Sequence, residues 1–208
     1  MKKLSALLVL SGLISMAVAQ TVTIGKQVWM TKNLTVTSFR NGNVIKEAKT
    51  NEEWQKANQS KQPAWCYYDN NAANGTKYGI LYNWYAVNDS RGLAPVGWHI
   101  ATDSEWTALA KFLKLDSAGI KMKTTTGWNN NGNGNNKSGF LGLPGGMRDP
   151  GGYFTEIGNG GYWWSYTGNN PNTEAVHRNL VFNSNNFYGY SSGAYFAIGM
   201  SVRCIRDY

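Results

Sequence analysis

The sequence predicts an α+β domain in which two helices accompany short antiparallel sheets and long loops. Residues 95–106 combine a strand-like alternation with a helix start signal. The chain after Phe140 consists of short apolar runs separated by glycine and asparagine, which is typical of short strands joined by turns. Both ends of the region 20–208 are strand-like, so we expect the first and last strands to pair.

The clearest single element is a helix over 103–113. Apolar and polar residues alternate at 98–100, just before it, as in a strand. Thr102 and Glu105 stand at the spacing of a capping box, in which each side chain bonds the backbone amide of the other residue. The apolar stripe then follows at helical spacing: Trp106, Leu109, Ala110 and Leu113.

Turn and cap signals define the elements of the first part of the chain. Residues 21–37 alternate apolar and polar side chains around Gly25-Lys26, which predicts a hairpin. A short capped helix is predicted over 50–59. A strand over 64–68 and a turn over 69–75 follow it.

The rest of the chain contains the second helix, a long loop and the closing strand. The second helix is predicted over 80–87. Residues 127–139 are rich in asparagine and glycine without an apolar period, which favours a solvated and mobile loop. The closing strand is predicted over 200–205. No repeat of solenoid or propeller length is visible along the chain.

The first residues have the pattern of a secretory signal. Two lysines precede an apolar run, 7–18, that is too short to span a bilayer easily. Small residues at 17 and 19 mark a cleavage site, and no cysteine follows it to carry a lipid anchor. The sequence therefore predicts a signal peptide over 1–19 and one domain over 20–208. We expect this domain to be exported, to the periplasm, the cell surface or beyond, without a membrane span.

The charge distribution disfavours nucleic-acid binding. The formal net charge is +8, and removal of the two lysines of the leader lowers it by two to +6. The basic residues are scattered along the chain, whereas a phosphate-binding face needs clustered lysine and arginine. We therefore expect a partner other than nucleic acid.

An aromatic and asparagine-rich tract between Gly158 and Gly199 is the candidate binding surface. The tract has more aromatic side chains than a core alone would accommodate, and asparagine side chains are interleaved with them. Exposed rings supply rigid contact area and amides supply adaptable hydrogen bonds, which suits a glycan or a cell-surface protein. The predicted ligand-binding residues are Tyr166, Asn170, Asn183, Asn185, Asn186, Tyr188, Tyr190 and Tyr195.

Cys66 and Cys204 are the only cysteines of the chain. In an oxidising compartment they can pair, and a bond closing so long a loop would contribute about 4–5 kcal/mol in the chain-entropy treatment. The alternative is two separate buried thiols. The sequence leaves both alternatives open.

The chain resembles the Fibrobacter succinogenes major paralogous domain family, which is abundant in exported Bacteroidetes and Fibrobacter proteins. The most specific match is PVGWHIATDSEW at 95–106. Other ordered matches are 24–34, 78–86, 138–140, 143–146, Arg148, 161–165 and 201–207. The resemblance implies a C-type lectin-like fold with paired terminal strands, but most members have no assigned activity. Ala94 stands where many relatives have a cysteine, so their usual disulfide does not carry over.

The resemblance also raises alternatives for the C-terminal region. Residues 170–172 resemble the Glu-Pro-Asn triplet that ligates calcium and sugar in C-type lectins. A calcium site needs several oxygen ligands, usually including carboxylates, and Glu174 is the only acid nearby. A proline-turned loop is therefore favoured over a bound calcium ion. Related lectin-like proteins diversify this region, which would suit a protein-recognition or adhesion module with a variable face.

Catalysis is the third hypothesis, and the sequence disfavours it. Glu156 and Glu174 could form the carboxylate pair of a hydrolase, but two solvated surface carboxylates are the simpler interpretation. His99 is predicted to be a structural hydrogen-bonding residue, and neither it nor His177 has a partner at metal-ligand spacing. Formylglycine-generating enzymes share a related fold but need a second cysteine near Cys204. We therefore expect a binding protein that is not an enzyme.

Overall fold

Short strands in three sheets and a few helices make up a mixed α+β architecture. The computed structural model describes residues 20–166, 175–194 and 196–208, with the backbone alone for 190–194. The strands are β1 Thr21–Ile24, β2 Gln27–Met30, β3 Lys46–Glu47, β4 Ala64–Cys66, β5 Leu81–Tyr82, β6 Trp98–Ile100, β7 Gly145–Arg148, β8 Phe154–Ile157, β9 Gly160–Ser165, β10 Ala175–Val181, β11 Tyr188–Ala194 and β12 Cys204–Arg206. The helices are α1 Asn51–Gln59, α2 Ala72–Tyr78, α3 Trp84–Val87, α4 Asp103–Phe112 and α5 Ala118–Met122, with 3₁₀ turns at Tyr68–Asn70 and Leu115–Ser117.

The chain ends meet in a four-stranded sheet of order β1-β2-β12-β6. The closing strand pairs Ile205 with Trp29 of β2 and His99 of β6. The predicted pairing of the first and last strands is therefore wrong: both lie in this sheet, but β2 stands between them, because the tight hairpin at Gly25-Lys26 folds β2 back along β1 and β12 then adds to the free edge of β2. The other sheets have the orders β11-β10-β9-β7-β8 and β3-β4-β5.

Both predicted caps start helices. Thr50 Oγ1 accepts a hydrogen bond from the Glu53 amide at the start of α1. The capping box of α4 is complete, since the amide of Thr102 donates to Glu105 Oε2 at 2.8 Å. All four residues of the predicted apolar stripe of α4 are buried.

Two predicted elements are wrong, because asparagine caps redirect the chain. Residues 69–75 were predicted to form a turn, but α2 starts there with Asn71 Oδ1 accepting from the Ala73 amide at 3.0 Å. The predicted helix over 80–87 is instead β5 followed by α3. Asn83 Oδ1 accepts from the Ala86 amide of α3 and from the Ala64 amide of β4, so it fixes the change from strand to helix.

The loop over 127–139 has no regular element, as predicted, but it is not simply solvated. Trp128 is 4% exposed, and its indole donates to Thr124 Oγ1 at 3.1 Å. The backbone amide of Asn129 donates to Gly158 O, and that of Asn135 donates to Ile120 O. The loop is therefore anchored to the core at both of its ends.

The cores are rich in tryptophan. Trp29, Trp106 and Trp163 are fully buried in one cluster with Phe140. Trp164 is also fully buried, in the neighbouring cluster. Trp163 and Trp164, which are adjacent in β9, therefore both belong to the core.

The two cysteines lie apart in the structure. Both thiols are free and buried, Cys66 in the cluster with Trp54 and Cys204 in the cluster with Trp164. Burial raises the pKa of each thiol to about 12. The structure thus has the arrangement of two separate buried thiols, without the Cys66–Cys204 bond.

A buried guanidinium joins the hairpin, the centre of the chain and the closing segment. Arg203 donates from Nε and Nη2 to Asn33 Oδ1 at 3.0 and 2.8 Å, and from Nη1 to the carbonyls of Met30 and Phe140. Burial lowers the pKa of Arg203 to about 9, so the group stays charged at neutral pH. None of the ion pairs between described residues involves it.

The side-chain amide of Asn33 also forms hydrogen bonds with neighbouring groups around this guanidinium. Its Oδ1 also accepts from Trp163 Nε1 at 2.8 Å. Its Nδ2 donates to Tyr78 O at 2.7 Å and to Ser201 Oγ at 3.1 Å. One amide thus connects β2, α2, β9 and the segment before β12.

Asn33→Ala is expected to lower the free energy of unfolding by about 3 kcal/mol or more, because it leaves two donors of a buried cation and an indole N–H without their acceptor. Urea unfolding would measure the change. Asn43→Ala, at an exposed position, is the matched control and should change the value by less than about 0.5 kcal/mol. Equal values for the two variants would contradict this account of Asn33.

Within the described ranges, no helix combines the length and the apolar composition needed to cross a bilayer.

Candidate functional site

Two open clefts share a short polar ridge, Asn88–Asp89–Ser90. The His99 cleft has a volume of about 550 Å³, and besides the ridge it is lined by Arg40, Val87, Gly92, Ala94, His99, Ile100, Thr102 and Tyr166. The Phe196 cleft has a volume of about 520 Å³, and besides the ridge it is lined by Lys61, Pro63, Trp84, Tyr85 and Phe196. Both volumes fall in the range of small-molecule sites.

A local ion pair fixes the ridge at the end of α3. The Arg91 guanidinium donates to the two carboxylate oxygens of Asp89 at 2.8 and 2.7 Å, and the Arg91 amide donates to the same carboxylate at 2.9 Å. Arg91 also lies over the ring of Phe39, 4.1 Å from its centre. These hydrogen bonds from Arg91 lower the pKa of Asp89, so the ridge presents a carboxylate at neutral pH.

Main-chain hydrogen bonds hold the ring of Phe196 in its cleft. The Trp84 amide donates to Phe196 O at 3.0 Å, and Trp54 Nε1 donates to the next carbonyl, Ala197 O, at 3.0 Å. The Phe196 ring stacks on Trp84 at 6.3 Å and meets Tyr85 edge to face at 6.0 Å. Tyr85 and Phe196 are half-buried, so their rings form a fixed and partly open apolar wall.

His99 is held between two carboxylates in the lining of the His99 cleft. Its Nδ1 lies 2.7 Å from Asp207 Oδ1, and its Nε2 lies 2.8 Å from Glu105 Oε1. Burial opposes protonation, but the hydrogen bonds with Asp207 and Glu105 outweigh it and raise the pKa of His99. Because Glu105 also caps α4, the predicted structural role of His99 is confirmed.

The structure separates the residues that were predicted to bind a ligand together. Tyr166 follows β9, beside the Ala175 end of β10, and lines the His99 cleft. The predicted amides lie at the other end of β10, exposed in the turn to β11: Asn183, Asn185 and Asn186. Seven residues of β10 separate the two groups, a distance of roughly 20 Å. A single site cannot include both groups without a large ligand.

The remaining predicted residues are only partly described. Tyr188 is half-buried, and its hydroxyl lies 2.8 Å from Ser184 Oγ. The backbone of Tyr190, in β11, pairs with that of His177 in β10. Outside the described residues lie Asn170, Pro171, Asn172, Glu174 and Tyr195.

The turn between β10 and β11 is held through its backbone. Lys123 Nζ donates to three carbonyls within 181–184, at 2.9 to 3.3 Å. The Ile120 amide donates to Asn185 O at 3.2 Å. A Cβ at Gly119 would meet the backbone of this turn, so glycine is needed for the close approach. The exposed amides of the turn therefore stand on a fixed scaffold.

The described residues provide few groups for acid–base or metal chemistry. Glu156 lies in β8, next to the last residue of the strand, with a φ of 68°. His177 is central in the sheet, and burial lowers its pKa. Among the described residues, no three histidine, cysteine, aspartate or glutamate side chains come together as metal ligands.

Sequence reasoning missed most of the cleft walls. The ridge, Tyr85 and Arg40 belong to no predicted site, and Phe196 was noticed only as one ring among many. The sequence signal for these walls is the run WYAVNDS at 84–90, in which a short apolar helix with two aromatic residues is followed directly by three polar residues. The composition instead pointed to the tract between Gly158 and Gly199, which contains more aromatic and asparagine residues.

Comparison with protein families gives one match. The model of the Fibrobacter succinogenes major domain matches residues 22–206, which is nearly the whole described chain. Searches of curated proteins and of solved structures found no match.

The two histidines predict opposite effects of pH on stability. The pKa of His99 is raised, so its contribution is fully present below the unfolded-state pKa of about 6.5 and is lost as the pH rises through the folded value. The pKa of His177 is lowered, so its contribution is present above about 6.5 and is lost as the pH falls.

Urea unfolding of the wild type, His99→Gln and His177→Gln between pH 5 and 8.5 would measure both effects. The stability lost in His99→Gln should shrink as the pH rises, and that lost in His177→Gln should shrink as the pH falls. If the free energies of unfolding of both variants change with pH in parallel with that of the wild type, neither histidine is linked to folding in this way.

Proposed function

Because the chain belongs to the Fibrobacter succinogenes major domain family, an assignment that carries no activity, we propose its function from the clefts themselves: non-catalytic recognition of carbohydrate by an exported protein. The observation that carries the proposal is the Tyr85–Phe196 ring pair in an open cleft beside the polar ridge. Stacking and hydrogen bonding on a rigid scaffold suffice for this function, and no covalent step is involved.

The rings provide the apolar half of the recognition. Sugar rings have apolar C–H faces, which pack against aromatic side chains. Tyr85 and Phe196 are fixed by the backbone bonds of Phe196 and Ala197, so binding would cost little side-chain entropy. A partly open cleft of about 520 Å³ suits one or two sugar units of a longer chain.

The ridge provides the polar half. Asn88, Asp89 and Ser90 offer an amide, a carboxylate and a hydroxyl within one turn of chain. Sugar hydroxyls both donate and accept, so they pair with all three groups. Because the ridge lines both clefts, a chain of sugars could cross it and reach Tyr166 and Thr102 in the His99 cleft.

A C-type lectin-like arrangement is our interpretation of the fold. The supporting features are the closing strand β12 paired with β2 of the N-terminal hairpin, two principal helices α1 and α4, and long connections that border the clefts. Under this interpretation the clefts lie among the loops that carry binding in such folds.

A second candidate function is recognition of a protein partner by the turn between β10 and β11. The exposed amides of Asn183, Asn185 and Asn186 stand on a backbone fixed by Lys123, which gives a preorganised polar surface. Such surfaces bind protein epitopes through adaptable hydrogen bonds. This surface lies away from the Phe196 cleft, so the two functions are separable by substitution.

A polysaccharide and glycan binding screen, followed by titration calorimetry of Tyr85→Ala and Phe196→Ala, would test the carbohydrate proposal. Loss of either ring should weaken binding roughly tenfold, since a ring contact contributes about 0.5–1.5 kcal/mol beyond its buried area. Tyr153→Ala is the matched control, because Tyr153 is 66% exposed and lines neither cleft.

Three outcomes redirect the proposal. Glycan binding that survives both cleft substitutions and is lost in Tyr188→Ala would move the site to the turn between β10 and β11. Binding that a chelator abolishes would favour a calcium site at 170–172. Absence of glycan binding in every condition would overturn the proposal in favour of a protein partner.

A further inference from the structure

A third cleft, which we call the basic cleft, lies apart from the two described above and shares no lining residue with them. Its volume is about 240 Å³. Its cationic lining residues come from three separate segments: Lys32 after β2, Lys77 in the last turn of α2 and Arg203 before β12. No aspartate or glutamate lines this cleft.

The cations of the basic cleft lack anionic partners. None of the ion pairs between described residues involves Lys32, Lys77 or Arg203. Lys32 and Lys77 are exposed, and Lys77 Nζ lies over the Tyr78 ring at 4.7 Å. Clefts lined by charge of one sign concentrate the field and attract ions of the opposite sign.

The deepest cation is a fixed positive charge. Arg203 is 1% exposed and lies over the Phe140 ring, 4.2 Å from its centre. Its hydrogen bonds go to carbonyl and amide oxygens, and the longest of them joins Nη2 to Leu141 O at 3.5 Å. Leu141 itself has a left-handed φ of 56°, so its carbonyl is held at the cleft by an uncommon backbone conformation. All five N–H donors of Arg203 are bonded to these oxygens, so Arg203 contributes its positive charge to the cleft while the direct bonds to an anion come from the groups at the mouth.

Hydroxyl groups complete a lining suited to oxyanions. Thr31, Thr35, Thr76 and Thr124 line the basic cleft. The hydroxyls of Thr31 and Thr124 donate to Gln20 O and Thr126 O, so the donors toward an anion are those of Thr35 and Thr76, which are exposed. Threonine hydroxyls donate to phosphate-type oxygens, and lysine ammonium groups make the stronger charge-assisted bonds. The volume is below the range of about 300–1,000 Å³ that holds drug-sized ligands, so the cleft suits one charged group and a few waters.

We infer that the basic cleft binds a tetrahedral oxyanion, a sulfate or phosphate group, between Lys32 and Lys77 at the mouth and Arg203 at the base. The group can be a free ion or a substituent on a larger ligand. The inference is independent of carbohydrate recognition at the Phe196 cleft, because the lining residues differ.

Thermal unfolding of the wild-type protein with sodium sulfate, or with sodium phosphate, tests the inference against sodium chloride of equal ionic strength. An ion that binds the native state raises Tm in a saturable way. Sulfate and phosphate also stabilise proteins generally by exclusion from the surface, so the informative quantity is the difference between variants.

The test variant is Lys32→Gln/Lys77→Gln, which keeps polar, unbranched side chains and removes both charges at the mouth. The matched control is Lys26→Gln/Lys111→Gln, two exposed lysines outside the cleft. The saturable part of the Tm rise should persist in the control and be lost, or need at least about tenfold more ion, in the test variant. Equal responses of wild type and test variant, or no saturable response in either, would overturn the inference.

A sulfated polysaccharide compared with its uncharged parent distinguishes the source of the group. Tighter binding of the sulfated polymer, lost in Lys32→Gln/Lys77→Gln and kept in Phe196→Ala, assigns the oxyanion to a larger ligand. A response to the ions without any preference for the sulfated polymer assigns it to the free ion. Loss of sulfated-polymer binding in Phe196→Ala alone would contradict a separate anion site.

Discussion

The uncompensated charge of Arg203 is the constraint on which the arrangement of the chain depends. A buried guanidinium without a carboxylate is tolerated only if other oxygens satisfy its donors. Here those oxygens come from Met30, Asn33 and Phe140, which are far apart in sequence. The closing strand, the N-terminal hairpin and the central segment must therefore be in place together, because removal of any one leaves the cation unsatisfied in the core.

A similar dependence on backbone oxygens recurs around the structure. Arg148 donates to the carbonyls of Ala48, Thr50 and Gly152, and Lys123 donates to those of the turn before β11. These cations join loops to sheets where few regular ladders are available. The clefts depend on the same kind of fixation, since Phe196 and the ridge are held mainly by bonds to backbone groups and by the Asp89–Arg91 pair. Rigid loops are what a preorganised binding surface requires.

Local signals predicted the elements whose causes are local. Thr102 and Glu105 fix the start of α4 within four residues, and the pattern is legible in the sequence. Asn83 could not be interpreted in this way, because its side chain serves β4 and α3 at once, and β4 approaches it only in the folded chain. The separation of the predicted ligand-binding residues has a related cause. Composition identifies a tract that can bind, but the length of β10 decides that Tyr166 and the amides after Val181 lie at opposite ends.

The turn between β10 and β11 has a consequence for how this protein can change over generations. Its path is fixed by carbonyls bound to Lys123, by the close approach of Gly119 and by Ser184 Oγ, which accepts from the Asn186 amide, and not by the asparagine side chains. Asn183, Asn185 and Asn186 are thus free to vary while the geometry beneath them stays constant. Natural or designed substitutions at these three positions would change the exposed surface of the turn while the fold stays the same.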